Sequence, residues 1–461
     1  MLDKQVVQDV FEAALSTGGD FAELFMENNT KNSIVMVNGV VEKAQSGIDY
    51  GAGIRIFNGY NAVYVYTNEA SRENLIKTGL AGARAIKNSG RTQARSFEPY
   101  RFEPLHPYRI LPGTRKKSGI VGLLREAHKG ASDYDPLITQ TIANYTDSIQ
   151  DVLIANSDGL WAEDRRVRNR VGFEAYASNG TEKQGAFSGP GRLSGLEFLD
   201  TLNFEDLGKK IAGIALTMLK AKYCPSGKMP VVIDNGFGGV ILHEACVHGL
   251  EATSVAKKAS VFADKLGGKI ASDIVTAVDD GTIPNAWGSI NIDDEGEKTR
   301  RNVLIEQGVL KTFLVDRLNG LKMGMAPTGS SRRESYCFAP TSRMTNTFFV
   351  SGSDAPESII ADTEYGLYAK RMGGGSVNPT TGEFNFAVTE AYMIRQGKIA
   401  EPVRGATLIG KGPEVLLNID RIGTNFAQEA GMCGSESGSV PTNVGQPMIR
   451  VKELIVGGRS G

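Results

Sequence analysis

The sequence predicts an α+β fold with antiparallel hairpins in the N-terminal region and a strand-rich C-terminal domain. Three observations carry this. The chain opens on an amphipathic helical pattern. Two Asn-Gly dipeptides then interrupt runs rich in β-branched and aromatic residues. The last 235 or so residues are a succession of short strand patterns separated by abundant glycine.

Taken in order, "MLDKQVVQDVFEAALSTGGD" places Val6, Val7, Val10, Phe11 and Ala14 on one helical stripe, which Gly18 and Gly19 end. Asp9 and Glu12 interrupt any apolar run, so this stretch does not read as a secretory signal. "SIVMVNGVVEKA" and "IRIFNGYNAVYVY" predict hairpins turning at Asn38-Gly39 and Asn58-Gly59. A type I′ turn needs positive φ at both central residues, which Asn-Gly supplies. A helix follows from about Ser71, its expected N-cap, to Ile86. Residues 88–113 lose periodicity and hold Pro99, Pro104, Pro107 and Pro112, the composition of a linker or edge-wrapping segment. A helix is expected near 116–129, then antiparallel strands in "LITQTIANYT" and "DGLWAEDRRVRNRVGFEAYAS", then a long helical pattern over roughly 195–222. The expected organisation is an N-terminal subdomain (1–87), a linker (88–113), a middle subdomain (114–223) and a C-terminal catalytic domain (224–461).

Charge excludes one class of function. Lysine and arginine number 51 against 52 acidic residues, so the chain lacks the basic excess of a dedicated nucleic-acid binder. No stretch approaches the roughly 18 apolar residues of a membrane span. The cytoplasm is the expected compartment. The four cysteines, Cys224, Cys246, Cys337 and Cys433, are then expected as thiols or metal ligands rather than disulfides.

The chemistry concentrates in "GGVILHEACVHGLEA", residues 238–252. Two of only four histidines lie here, His243 and His248, with Glu244 after the first. The zinc-peptidase signature H-E-x-x-H spaces its histidines four apart. Five apart on an ideal α-helix, they differ by about 140° in azimuth and cannot share an ion. Joint ligation therefore demands a π-bulge or a helix break between them. The residues alone leave two readings open: a metal site with a distorted helix, or a buried helix with hydrogen-bonded histidines. A cysteine could supply a third, soft ligand, and spacing does not choose between Cys337 and Cys433. Cys246 reads as a small packed side chain. His106 and His128 read as surface or helix-end residues. "GATLIGKGP", residues 405–413, imitates a phosphate-binding loop but has Gly412 where the Mg²⁺-binding hydroxyl belongs, so it reads as a strand followed by a turn. "RMGGGSVNPTTGEFNF" reads as a glycine-rich turn joining strands.

Several longer stretches agree on one resemblance. "HEACVHGLEA", "VDDGTIPNAWGSINIDDEGEKTRRNVLIEQGVLKTFLVDRLN", "SSRRESY", "PTSRMTNTFF", "GGGSVNPTTGEFNFAVTEAYMI" and "GMCGSESGSVPTNVGQPMIRVKELIVGG" resemble the TldD/PmbA family, specifically its TldD branch. With the N-terminal "GGDFAELFMENN", the likeness runs over essentially the full chain. It implies a zinc metallopeptidase acting on peptides or unfolded segments, as a homodimer or with a PmbA/TldE-like subunit. It further implies His243, His248 and Cys433 of "GMCG" as ligands of Zn²⁺ and Glu244 as the base. Val247 stands where such sequences often carry glycine. Arg332, Arg333 and Tyr336 are candidates for steadying the oxyanion or a substrate carboxylate, or the arginines are structural ion pairs. The rival expectation is a non-catalytic partner or regulatory subunit, in keeping with the family's history as a supposed gyrase modulator. The intact H-E-x-x-x-H set argues against it.

Overall fold

The computed structural model describes residues 2–86 and 92–459. Its architecture is α+β, with mainly antiparallel sheets that also hold a few parallel pairings. The opening helix is Lys4–Ala14, capped by the Asp3 carboxylate and burying Val7, Val10, Phe11 and Ala14. A long hairpin, Phe21–Val37 with Val40–Asn58, turns at Asn38-Gly39, both with positive φ as expected of type I′. The next turn differs from expectation by one residue. Asn58 pairs with Asn61, so the central residues are Gly59 and Tyr60, and only Gly59 takes positive φ. That fits a II′ turn, because the pairing register carries Asn58 into the strand. The helix Arg72–Ala83 has its N-cap at Ser71, whose hydroxyl accepts the Asn74 amide.

Residues 88–91 of the expected linker lie outside the described residues. The rest wraps a sheet edge: Glu98–Pro99 runs parallel to Leu160–Trp161. Strands Ile138–Asn156 and Leu160–Ser178 continue the sheet begun by the N-terminal hairpin, since Phe21–Val37 pairs with Ile138–Asn156. The N-terminal and middle segments thus build one sheet. Helices Lys117–Ser132 and Phe204–Lys220 cover part of it. They approach closely because Gly208 lies against the Ala127 carbonyl, where any side chain would overlap it.

The C-terminal region holds two large sheets, besides a short ladder of Ser331–Arg332 with Thr341–Ser342. Five strands, Tyr365–Val377, Gly227–Ile233, Ile449–Gly457, Thr407–Lys411 and Glu383–Arg395, pair in a closed ring. A six-stranded sheet runs Val309–Leu310, Arg301–Glu306, Ala277–Asp280, Asn346–Phe349, Gly438–Gln446 and Ala427–Ser435. The large apolar core between them encloses Val240, Leu242, Val247 and Cys433. Two sequence expectations need correction here. Gly373–Gly375 lie inside a strand, at a register shift, and the turn is Asn378–Gly382 instead. "GATLIGKGP" is a strand passing straight into the helix Gly412–Leu417.

Buried ion pairs join the two halves. Arg55 contacts Glu23 and Glu295, Arg333 contacts Glu23, and Arg166 contacts Asp164 and Asp294. His106 is not a surface residue. It is buried, with Nε2 on the Ile290 carbonyl and Nδ1 accepting the Asn285 amide. The proline-rich segment carries it under the C-terminal loops, and burial lowers its pKa. His128 lies near the end of its helix, half-buried, with Nδ1 on the Thr141 hydroxyl. Among the described residues no helix is long and apolar enough to cross a membrane.

Candidate metal centre

The histidine motif begins in a tight turn, Gly236–Gly239, that leads into the short helix Val240–Ala245. Gly239 lies against the backbone of Gly445, so the strand Gly438–Gln446 presses directly on the helix start. Gly412 lies against the Ala245 carbonyl at the other end. Between these contacts the helix breaks. Cys246 takes φ −131° and ψ −61°, and a 3₁₀ turn, Val247–Leu250, follows. The distortion demanded by the five-residue spacing is therefore a break rather than a π-bulge. It brings the two imidazoles together, ring centres 4.9 Å apart and perpendicular.

The third donor arrives from the far end of the chain. Ala427–Ser435 and Gly438–Gln446 form a hairpin in which Cys433 faces Val440, both buried. Cys433 Sγ lies 3.2 Å from His243 Nε2 and 3.3 Å from His248 Nε2. All three donor atoms fall within 4.8 Å of one another. Cys337 lies outside this cluster, with its amide on the Ser335 hydroxyl. Cys246 is fully buried, and burial raises its pKa, as suits a packed thiol. Arg343 is completely buried and fixes the hairpin turn. It donates to the carbonyls of Cys433 and Gly438 and to the Ser437 hydroxyl.

The electrostatics favour an ionised sulfur. Burial opposes ionisation of Cys433, but the charge and hydrogen bonds of His243 and His248 outweigh it and bring the pKa down to about 3. Burial likewise opposes a charge on His248, yet Glu251 and Cys433 hold its pKa well above the usual histidine value. Glu251 accepts from His248 Nδ1 at 3.1 Å, which turns Nε2 toward the sulfur. His243 Nδ1 finds no hydrogen-bond partner among the described residues. Glu244 stands beside the cluster, its carboxylate 3.7 Å from His248 Nε2 and partly exposed.

The donor set fits zinc. Zinc bonds of about 2.0–2.1 Å to nitrogen and about 2.3 Å to sulfur at tetrahedral angles separate N and S by roughly 3.5 Å. The separations here, 3.2 and 3.3 Å, are close to that. With zinc bound, three protein donors would leave a fourth position for water or substrate.

The other candidates lie elsewhere. Arg333 is buried against Glu23, the Asp294 carbonyl and the face of Phe25. Arg332 donates to the Met344 and Pro441 carbonyls. Tyr336 is half-buried, its amide on Glu27 and its ring against Tyr66. Sequence reasoning missed Glu251 and Arg343. Glu251 carried a usable signal, an acid three residues after a candidate ligand. Arg343 carried none, because its partners are backbone carbonyls some 90 residues away.

A histidine pair, a cysteine sulfur and an adjoining carboxylate are a donor set suited to a metallopeptidase, and the comparisons with known proteins place the chain in such a family. Sequence models of the PmbA/TldA metallopeptidase family match as domain 1 (residues 22–89), central domain (112–219) and C-terminal domain (226–458). The metalloprotease TldD homologue of Buchnera aphidicola (subsp. Acyrthosiphon pisum) is 34% identical, over 98% of this chain and 96% of its own. That of Haemophilus influenzae is also 34% identical, over 99% and 97%. The crystal structure of a putative DNA gyrase modulator from Thermotoga maritima superposes with TM-score 0.81 at 21% identity, covering 98% of this chain and 99% of that one. TldE from Thermococcus kodakarensis superposes at 0.77 and 18% identity, covering 98% and 99%. At such identities these two structures speak to the fold alone. The chain belongs to the PmbA/TldD metallopeptidase family, in its TldD branch.

Proposed function

We propose that this chain is a zinc-dependent peptidase that hydrolyses peptide bonds in peptides or unfolded protein segments. His243, His248 and Cys433 hold the metal, and Glu244 is the general base. The observation that carries this reading is the convergence of three donor atoms within 4.8 Å, beside the partly exposed Glu244 carboxylate. A relative from Saccharolobus solfataricus, 31% identical over 53% of this chain and 54% of its own, is named a zinc metalloprotease TldD homologue.

When bound, zinc polarises the scissile carbonyl and acidifies water. Cys433 serves as a thiolate, and Glu251 keeps the His248 proton on Nδ1 so that Nε2 is the free donor. The Glu244 carboxylate takes the proton of the attacking water and returns it to the departing amine nitrogen. The irregular strand at Gly373–Gly375 supplies backbone for pairing with an extended substrate. Arg332 and Tyr336 are assigned to substrate contact. The working unit is a homodimer or a pair with a PmbA/TldE-like subunit, in the cytoplasm.

The test is Glu244→Ala in zinc-loaded protein, assayed on a mixed peptide library with chelator controls. The zinc content is expected to hold at one per chain while the rate falls about 10²- to 10⁴-fold. Cleavage at the unaltered rate would sink the assignment. A purified chain without zinc and indifferent to chelator would instead favour a non-catalytic subunit.

A further inference from the structure

A cavity of about 930 Å³ opens between the N-terminal sheet and the hairpin that carries Cys433. Five arginines line it: Arg166, Arg168, Arg170, Arg332 and Arg333. Two are neutralised, Arg166 by Asp164 and Asp294, and Arg333 by Glu23. Among the described residues the other three form no ion pair and hydrogen-bond only to carbonyl oxygens. Arg168 donates to Trp287 and Ser289, Arg332 to Met344 and Pro441, and Arg170 to Gly189 and Ala430. Carbonyls orient a guanidinium but leave its charge in place, and an uncompensated buried charge is costly. The acids on the wall are engaged: Asp147 accepts from Asn32 and Tyr145, Glu334 accepts the Ser439 amide, and Asp294 accepts from Arg166 and the Arg333 amide. Burial and the neighbouring arginines draw Arg168 down to about 9 and Arg332 to about 10. Three oriented guanidiniums without an ion-pair partner among the described residues, around one cavity, match a planar anion, which guanidinium binds through two parallel hydrogen bonds.

The position of the cavity selects the anion. Met432 and Pro441 belong to its wall and oppose each other one step from the Cys433–Val440 pair. Successive residues of a strand face opposite sides, so the arginines and the sulfur lie on the two faces of one hairpin. Ala427–Ser435 is the edge strand of its sheet. A peptide crossing that edge reaches both faces. We propose that Arg168, Arg170 and Arg332 bind a carboxylate of the peptide substrate, either its free C-terminus or an acidic side chain. The choice of a peptide carboxylate rests on the peptidase reading, whereas an anion site as such does not.

The chain has two tryptophans, and Trp287 lines the cavity with Arg170 over its ring. In full-length Trp161→Phe protein stripped of metal by chelator, Trp287 emission and calorimetry report binding without any cleavage. The probes are an acetylated tripeptide with a free C-terminus, its C-terminal amide, the amide carrying one internal glutamate, and inorganic phosphate. The expected result is saturable binding of at least one carboxylate peptide, at least tenfold tighter than the uncharged amide. The two carboxylate arms tell C-terminus from side chain. Arg332→Gln is expected to weaken it tenfold or more, and the more exposed Arg170→Gln serves if that variant does not fold. Binding of the uncharged amide with equal strength, or no heat and no emission change with any probe, would overturn the proposal. Tighter binding of phosphate than of either carboxylate peptide would overturn the choice of ligand. Loss of the zinc mechanism through an active Glu244→Ala protein would leave these binding results standing, so the two failures are distinguishable.

Discussion

The Nδ1 of His248 lies 3.1 Å from the carboxylate of Glu251, three residues along the chain, and Arg343 approaches the other oxygen of that carboxylate at 3.9 Å. One acid therefore links the imidazole of one strand of chain to the arginine that fixes the Cys433 hairpin. Outer partners of this kind set ring orientation and basicity and are worth about 10- to 100-fold in metal affinity. Glu251→Gln is expected to weaken zinc binding by about that factor, measured by competition with a chromophoric chelator. An unchanged affinity would show that ring orientation depends on packing alone.

Gly412 bears on the site without contributing a donor. A Cβ there would overlap the Ala245 carbonyl, at the end of the helix that carries His243. The residue that breaks the phosphate-loop imitation is thus glycine for a steric reason. Gly412→Ala is expected to cost about 1–3 kcal/mol in urea unfolding, as overpacking does, and to weaken zinc binding by displacing His243. Loss of stability with unaltered zinc affinity would show that the helix end moves independently of the ligands.

Arg333 can be separated from a substrate role by what its loss does. It is buried between Glu23 and Asp294, each of which also meets a second arginine. Arg333→Met is expected to destabilise the protein by about 3 kcal/mol, the lower end for removing one partner of a buried pair. Denaturant unfolding measures this, and KM on an uncharged peptide should hold. A raised KM at unaltered stability would return Arg333 to the substrate.

Asp279 predicts a pH dependence. It is buried on the central strand of the sheet that carries Cys433. Burial raises its pKa from 3.8 to about 6, against the opposing hydrogen bonds from Thr345. The folded state therefore holds the proton more tightly than the unfolded state. The associated stability is fully present below about pH 4 and is lost as pH rises through about 6. Asp279→Asn is expected to remove a fall on the order of 3 kcal/mol between pH 4 and 7, read from urea midpoints at fixed metal content. An identical pH profile in both proteins would contradict it.

Much of the fold is legible in local pattern, because turns and caps are decided by a few adjacent residues. Asn38-Gly39 and Ser71 behave as their chemistry requires. Asn58-Gly59 misleads by one residue, since pairing of Asn58 with Asn61 sets the register. His106 misleads for a related reason: proline punctuation marks a loop but not what covers it.

For the site, the sequence by itself determined the motif, the general base candidate and the need for a distorted helix, all of which follow from spacing within six residues. Resemblance pointed to Cys433. Only the tertiary structure decided that Cys433 rather than Cys337 meets the imidazoles, that the distortion is a break at Cys246, and that Glu251 and Arg343 brace the cluster. It also decided that arginines from two sheets converge on one cavity. Periodicity records which way a residue faces within its own element. A contact closed across 190 residues leaves no trace in local pattern, because it depends on how separate elements dock.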